Sequence, residues 1–176
     1  MARCSPWVVA VGIPLAYLRG LKPCANDAVT DPRTWLLRWL SMREHSRYEL
    51  TQKLTAKDPQ LSRAEIGALL DACADSGEQS DARYAEALVR SRRAKGYGRQ
   101  RIVAELRQHQ IAATWVEEAF ASSDAGEETE SMRCLVVLTK WMRRQTKPTP
   151  EKAYRFLQTK GFNFSEAQQA VEQIFR

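Results

Sequence analysis

Glycine and proline are scarce in this sequence. Its 176 residues contain 8 glycines and 7 prolines, fewer than the combined share of about 12% in average proteins, and the longest stretches hold no turn-forming cluster. A chain of this length forms one domain or a few small repeats. The composition therefore favours a helical protein and excludes a large multidomain enzyme.

Long apolar runs are also absent. The run from Trp7 to Leu18 has 12 residues, whereas a membrane-spanning helix needs about 20. Pro14 interrupts this run and no small-residue cleavage site follows it, so a secretory signal is not predicted. Regular apolar spacing begins only after Pro32, and we predict that residues 1–33 form a poorly patterned or disordered leader. We expect no contact with a membrane.

Cysteine is too dispersed for a metal or redox centre. The four cysteines lie far apart, with no C-x-x-C pair and no histidine at ligand spacing. We expect isolated, reduced thiols, with Cys73 and Cys134 on the core faces of helices. No metal site is predicted.

The usual parts of an active site are missing as well. Only His45 and His109 could act as bases near neutral pH, and both occupy polar positions beside a turn or a helix end, where a surface location is expected. The segment Lys95–Gly98 holds two glycines but lacks the spacing and the preceding strand of a phosphate-binding loop. We therefore expect no catalytic residue and no cofactor, and a binding function rather than an enzyme.

The sequence does contain a repeat of about 50 residues. Ser46, Gly98 and Thr149 stand 52 and 51 residues apart, and each opens a short helix with apolar residues at the fourth and eighth positions after it. A helix with its own apolar spacing follows each of these helices, and another precedes it. The apolar pairs of the middle helices are Leu50 with Leu54, Ile102 with Leu106, and Ala153 with Leu157.

This period predicts an all-α protein of three tandem three-helix repeats, at residues 34–76, 81–122 and 131–176. Three short helices bury little surface alone, so we expect neighbouring repeats to stack into an elongated, curved solenoid. The core stripe of the first helix is predicted to consist of Trp35, Trp39 and Met42.

The two linkers between the repeats differ. Residues 76–80 form a tight connection, whereas residues 122–131 are longer and acidic, which is typical of a flexible linker. We interpret the carboxylates of the second linker, including Glu130, as solvated. The third repeat is expected to move relative to the second.

Positive charge is concentrated in the second and third repeats. The chain has 27 Lys and Arg residues against 21 Asp and Glu residues, a net charge of +6, which favours polyanionic or acidic partners. Basic residues that recur with the repeat can bind a phosphate backbone or an acidic protein surface, and an ordinary solvated helix face explains them equally well. The candidate partner-binding or DNA-binding residues are Arg90, Arg92, Arg93, Lys95, Arg99, Arg101, Arg143, Arg144, Lys147 and Lys152.

Residues 81–113 carry a specific motif. An acidic residue precedes R-Y-A, a basic helix leads to K-G-Y-G, and R-I, E-L and an isoleucine follow. Residues 40–54 add L-x-x-R-x-x-S-x-x-E-L-x-x-K-L. Both motifs resemble those of the RecX family, bacterial regulators of the RecA recombinase, and the resemblance extends over about residues 34–176. The matching residues of the second repeat are Asp81, Arg83, Tyr84, Ala85, Arg92, Lys95, Gly96, Gly98, Arg101, Ile102, Glu105, Leu106 and Ile111.

Two places depart from the family pattern. Residues 77–80 read G-E-Q-S, where the family usually has a glycine followed by an aromatic and an aliphatic residue. Gln110 stands where the family prefers glycine. Both departures fall at helix ends, so they bear on local packing and leave the architecture unchanged.

The resemblance implies a cytoplasmic, monomeric, all-α protein that lies along the groove of a RecA filament on single-stranded DNA. Such a protein inhibits or destabilises the filament and so modulates recombination, DNA repair and the SOS response. The main alternative is a protein that binds single- or double-stranded DNA directly through helix-turn-helix-like units. A structural adaptor for an unrelated partner is a third possibility.

Overall fold

The structure, a computed structural model, describes residues 31–123 and 129–176. Within these two ranges all regular structure is helical, and the helices follow one another in three groups of three. The predicted architecture of three tandem three-helix repeats is confirmed. The helices are α1 (Pro32–Met42), α2 (Arg47–Lys57), α3 (Arg63–Asp75), α4 (Asp81–Ala94), α5 (Arg99–Gln108), α6 (Ala113–Ser123), α7 (Glu130–Met142), α8 (Pro150–Lys160) and α9 (Phe164–Phe175).

The helix ends follow from local sequence. The Asp31 side chain caps α1 ahead of Pro32, and Ser62 with Glu65 forms a capping box at the start of α3. Helix α8 ends at Gly161, whose φ of 88° lies in the left-handed region that only glycine adopts without strain. The chain therefore turns sharply after α8, and this turn lies against the second repeat.

Each repeat has a hydrophobic core of its own. The buried residues fall into three clusters, and each cluster draws on the helices of a single repeat. The apolar pairs predicted for α2, α5 and α8 are all buried, as are Cys73 and Cys134. Within residues 31–123 and 129–176, no buried apolar cluster spans two repeats, and hydrogen bonds and ion pairs join the repeats to one another.

The predicted core stripe of α1 is wrong at one position. Met42, the last residue of the helix, is 77% exposed, whereas Leu36 is fully buried. Trp35 and Trp39 pack at the edge of the first core. The helical face that meets the core is therefore centred on Leu36, one residue away from the predicted stripe.

Carboxylates join each repeat to the next. The backbone N–H of Arg47, at the start of α2, donates to Oδ1 of Asp81 at 2.8 Å. The backbone N–H of Arg99, at the start of α5, donates to Oε1 of Glu130 at 2.9 Å. The first N–H groups of a helix lack intrahelical partners and attract negative charge. The first residue of each following repeat therefore caps the middle helix of the repeat before it.

The joint between the second and third repeats adds direct backbone contacts. The N–H of Gly98 donates to the carbonyl of Lys160 at 2.9 Å, and that of Gln100 to the carbonyl of Gly161 at 3.1 Å. Gly98, the N-cap of α5, has no side chain to cap the helix, so the end of α8 satisfies these N–H groups instead. The interpretation of Glu130 as a solvated linker residue is wrong, because its side chain is only 17% exposed and is fixed at this joint.

Parts of the predicted leader and linker, residues 1–30 and 124–128, lie outside the described residues. Motion of the third repeat relative to the second stays a prediction. Over residues 31–123 and 129–176, no helix combines the length and the apolar character needed to span a bilayer.

Candidate functional site

A basic cleft lies between the end of α4 and the face of α7. Its volume is about 620 Å³, and ligand-binding pockets commonly measure about 300–1,000 Å³. Half of its lining residues are arginine or lysine, and none of them is acidic. The basic lining residues are Arg90, Arg93, Lys95, Arg133, Lys140, Arg144 and Lys160.

Four of these cations are available to a ligand. The side chains of Arg90, Lys95, Lys140 and Arg144 are exposed, and no ion pair or side-chain hydrogen bond joins them to a described residue. None of the described residues that line the cleft is acidic, and these cations raise the local positive potential. The cleft therefore attracts an anionic group.

An aromatic pair forms part of the same cleft. The rings of Trp141 and Phe156 stack with centroids 5.2 Å apart and planes inclined by 17°. The ammonium of Lys160 lies 4.6 Å from the ring centroid of Tyr97 and 5.7 Å from that of Phe156, within the range of cation–π attraction. The cleft thus places flat apolar surface next to positive charge.

Arg92 does not line this cleft and instead joins α4 to α5. Its Nε donates to Oε2 of Glu105 at 2.7 Å, and its Nη2 to Oε1 at 2.5 Å. The hydrogen bonds to Arg92 hold the pKa of Glu105 below its usual value, and those to Glu105 raise the pKa of Arg92. One edge of the guanidinium, formed by Nε and Nη2, is thereby engaged with a carboxylate.

Arg93 and Arg99 are also held by internal partners. Both guanidinium groups lie over the ring of Phe120, at 4.9 Å and 4.2 Å from its centroid. Arg93 is nearly buried and pairs with Glu130 at 3.7 Å, whereas Arg99 pairs with Glu117 at 2.6 Å. These two arginines connect the second core to the joint with the third repeat.

The remaining predicted residues are exposed but dispersed. Arg101 stacks on the ring of Tyr97 at 4.5 Å and donates to the carbonyl of Thr159 at 2.9 Å. The other three lie around the end of α7 and the start of α8, outside the lining of the basic cleft. They are Arg143, Lys147 and Lys152.

The expected surface location of His45 is wrong. Its side chain is 3% exposed, and its Nδ1 lies 2.8 Å from Oε2 of Glu49. Its Nε2 lies 3.4 Å from the ammonium of Lys53, an arrangement that fits a neutral imidazole with the proton on Nδ1. Burial lowers the pKa of His45, and the positive charges of Arg43 and Lys53 add to this effect against the hydrogen bond to Glu49.

Glu49 is the centre of this polar network between the first two repeats. Burial opposes its ionisation, but hydrogen bonds from Arg43 and His45 outweigh burial, and the pKa of Glu49 is lowered. Its Oε1 also lies 3.8 Å from Nδ1 of His109. Because both ring nitrogens of His45 already have partners, we assign this network a structural role.

The described residues form no cluster of metal ligands, and their two cysteines are poor nucleophiles. Over residues 31–123 and 129–176, no three histidine, cysteine or acidic side chains converge on one point. Burial raises the pKa of Cys73 and raises that of Cys134 to about 12. Both thiols are therefore protonated and unreactive near neutral pH.

Comparison with known proteins gives one matching family model, described as "RecX, second three-helix domain", over residues 80–119. A protein of Vibrio vulnificus named "Regulatory protein RecX" is 34% identical over 137 residues, which cover 77% of this chain and 87% of the relative. A protein of the same name from Chromohalobacter salexigens is 34% identical over 141 residues, 80% of this chain and 90% of the relative.

The chain belongs to the RecX family. Solved structures agree on the fold: a structure titled "Crystal structure of RecX from Lactobacillus salivarius" aligns with a TM-score of 0.66 and 20% identity, over 81% of this chain and 93% of that one. A second, titled "Crystal structure of regulatory protein RecX", aligns with a TM-score of 0.67 and 20% identity, over 90% of this chain and 85% of that one. The relatives are named as regulators, and their names describe no catalysis.

The RecX motif residues have structural roles here. Asp81 forms the first joint, and Arg92 with Glu105 ties α4 to α5. Gln110, where the RecX pattern prefers glycine, has a φ of 57°, a left-handed conformation that explains that preference. Gln79, at the other departure from the RecX pattern, is buried and donates from Nε2 to Oδ1 of Asp81 at 2.8 Å.

The candidate residues chosen from the sequence do not include the aromatic pair of the cleft or three of its basic residues. The three basic residues are Arg133, Lys140 and Lys160. Arg133, Val137 and Trp141 are spaced by four residues along α7, and this spacing places a basic and an aromatic side chain on one face of the helix. The meeting of this face with the end of α4 depends on the fold.

Proposed function

We propose that this RecX-family protein binds RecA filaments on single-stranded DNA and inhibits or destabilises them, and thereby modulates recombination, DNA repair and the SOS response. The proposal is carried by one observation, the basic cleft between α4 and α7 in a chain whose relatives are named "Regulatory protein RecX". The positive surface matches the charge of a filament that carries DNA.

Inhibition of this kind needs no catalytic step. A protein that binds one state of an assembly more tightly than another shifts the equilibrium by its difference in affinity alone. Backbone hydrogen bonds and the partly buried carboxylate of Glu130 join the second repeat to the third. Repeats joined in this way can contact more than one recombinase protomer. We further propose that the protein acts as a monomer in the cytoplasm.

The contact surface proposed for the filament consists of the exposed predicted cations together with those of the cleft. Arg92, Arg93 and Arg99 contribute through the fold, because their guanidinium groups are engaged with Glu105, Glu130 and Glu117. The proposed contact residues are Arg90, Lys95, Arg101, Lys140, Arg143, Arg144, Lys147, Lys152 and Lys160.

The test is the DNA-dependent ATPase activity of the cognate RecA recombinase while this protein is titrated below one copy per recombinase protomer, with single-stranded DNA in excess. We expect turnover to fall at substoichiometric protein. The triple variant R90Q/K95Q/R144Q should require more protein for the same inhibition. Its matched control is R38Q/R63Q/R107Q, which removes the same charge from exposed residues outside the cleft.

Two results would overturn this proposal. If turnover falls only when protein suffices to coat the DNA, the protein acts on the DNA and not on the filament. If both triple variants inhibit as well as the parent protein, the cleft is not part of the filament contact.

A further inference from the structure

We infer that the cleft between α4 and α7 is a binding site for single-stranded nucleic acid, with phosphates on Arg90, Lys95, Lys140 and Arg144 and a base stacked against Trp141. The inference does not rest on the proposed function, because it concerns direct contact with a polynucleotide and requires no recombinase. It begins from the juxtaposition of free cations and flat aromatic surface in one cleft.

The positions of the cations suit a flexible phosphate chain. Lys140 lies in the last turn of α7, and Arg144 lies in the turn that follows the helix, where its N–H donates to the carbonyl of Trp141. Arg90 and Lys95 lie on the opposite wall, at the end of α4. A strand that enters between the walls is therefore met by cations from both sides, as in proteins that track a single-stranded backbone through a positive groove.

The aromatic pair supplies the second element of such a site. Trp141 lines the cleft and is half-buried, and Phe156, which also lines the cleft, stacks on it with ring centroids 5.2 Å apart and nearly parallel planes. Support of this kind fixes the indole plane before a ligand arrives. Bases stack on aromatic rings whatever their sequence, so the site should show little sequence preference. A duplex is excluded from this contact, because its bases are already stacked on each other.

An acidic peptide fits the cleft less well. Extended peptides gain affinity from main-chain hydrogen bonds to an exposed strand edge, whereas the cleft lies between helices whose backbone groups are bonded internally. The Trp141–Phe156 pair would also be unused by a chain of carboxylates. The combination of charge and ring surface therefore favours a nucleotide strand.

The experiment measures binding of a fluorescein-labelled thymidine oligonucleotide by anisotropy, with the full chain and no recombinase, over a series of salt concentrations. Each phosphate contact contributes about 0.7 to the slope of log affinity against log salt for single strands. R90Q/K95Q/R144Q should therefore lower the slope by about 2. R38Q/R63Q/R107Q, which removes the same charge elsewhere, should leave the slope within about 0.5 of the parent value.

Two substitutions of Trp141 test the stacking contact. W141A should weaken oligonucleotide binding by about tenfold or more, and W141F should retain most of the affinity because it keeps a ring. Circular dichroism reports whether W141A is folded. If it is not, the decision rests on the charge variants, whose substituted residues are all exposed.

Three results would overturn the inference. They are an unchanged salt slope in the cleft variant, tighter binding of a duplex than of a single strand, and displacement of the oligonucleotide by polyglutamate at equal charge concentration. These measurements are independent of the ATPase assay, so failure of filament inhibition and failure of oligonucleotide binding can be told apart.

Discussion

The backbone N–H of Arg47 donates to the carboxylate of Asp81 at 2.8 Å, across a separation of 34 residues. Arg99 and Glu130 repeat this contact at 2.9 Å one repeat later. Both donors are the first residue of a middle helix, and both acceptors are the first residue of the next repeat. The protein therefore uses one type of joint twice, although the two sequences around it have diverged.

The first prediction concerns the charge of this joint. Asp81→Asn keeps an oxygen acceptor but loses the charge that favours a helix start, and should lower the free energy of unfolding by about 0.5 kcal/mol. Asp81→Ala also leaves the N–H of Arg47 and the amide of Gln79 without this acceptor, and should cost about 1–2 kcal/mol. Urea unfolding followed by circular dichroism measures both.

Glu86→Gln is the control for the joint variants, since Glu86 lies exposed on the same helix. Its stability should match that of the parent protein. Equal stability of Asp81→Ala and Glu86→Gln would show that the joint contributes nothing.

The second prediction uses two glycines. A Cβ added at Gly98 would collide with the carbonyl oxygen of Gly161, which forces the third repeat to shift. Gly98→Ala should therefore destabilise by about 1–3 kcal/mol. Gly67 lies within α3 with no atom within 4 Å of the added Cβ, so Gly67→Ala should stabilise by about 0.5–1 kcal/mol. Thermal unfolding of the two variants should move in opposite directions, and a gain in stability for Gly98→Ala would contradict the close approach.

The third prediction separates two arginines two residues apart. Arg92→Gln leaves the partly buried Glu105 without its bidentate partner and should lower the free energy of unfolding by about 1.5 kcal/mol. Arg90→Gln removes an exposed guanidinium and should change stability by less than about 0.5 kcal/mol. Oligonucleotide binding should show the reverse order, with the larger loss in Arg90→Gln. Equal effects of the two variants in both assays would contradict the division of roles.

The fourth prediction is a pH dependence of stability. Burial lowers the pKa of His45 in the folded protein from its ordinary value of 6.5, so the unfolded chain binds a proton that the folded chain excludes. Stability from this group is complete above about pH 6.5 and is lost as the pH falls through the lower, folded pKa. Protonation would place an N–H on the nitrogen that faces the ammonium of Lys53.

His45→Gln tests this dependence, because glutamine can donate to Glu49 and accept from Lys53 without titrating. The free energy of unfolding of the parent protein should fall between about pH 7.5 and about pH 5, and that of the variant should fall less. Superimposable pH profiles for the two proteins would contradict the assignment of a neutral, buried His45.

The repeats were predictable because each core closes within about 50 residues of sequence. The apolar pair Leu50 and Leu54 and its counterparts in the other repeats are local patterns, and the helix period alone places them on one face. The prediction for Met42 was wrong for a related reason. Met42 is the last residue of α1, and at a helix end the chain turns away, so a position on the apolar stripe need not contact the core.

The roles of the basic residues were not predictable in the same way. Arg90 and Arg92 are indistinguishable in a charge pattern, and only the position of Glu105 on the next helix separates a structural arginine from an available one. Lys160 and Trp141 lie far from Lys95 in sequence, and the cleft forms only when the end of α8 caps α5. The apolar and charge pattern of a single helix does not show which residues of α4, α7 and α8 meet in the cleft.

Separate hydrophobic cores allow the number of repeats to change during evolution. Because each core is complete within one repeat, a duplicated or lost repeat disturbs no buried apolar packing. An acidic residue at the start of the first helix of an added repeat can form the same capping contact, as Asp81 and Glu130 do. Whole repeats can therefore be gained or exchanged by recombination of the gene, while point substitutions inside a core are held to a narrow choice of apolar residues.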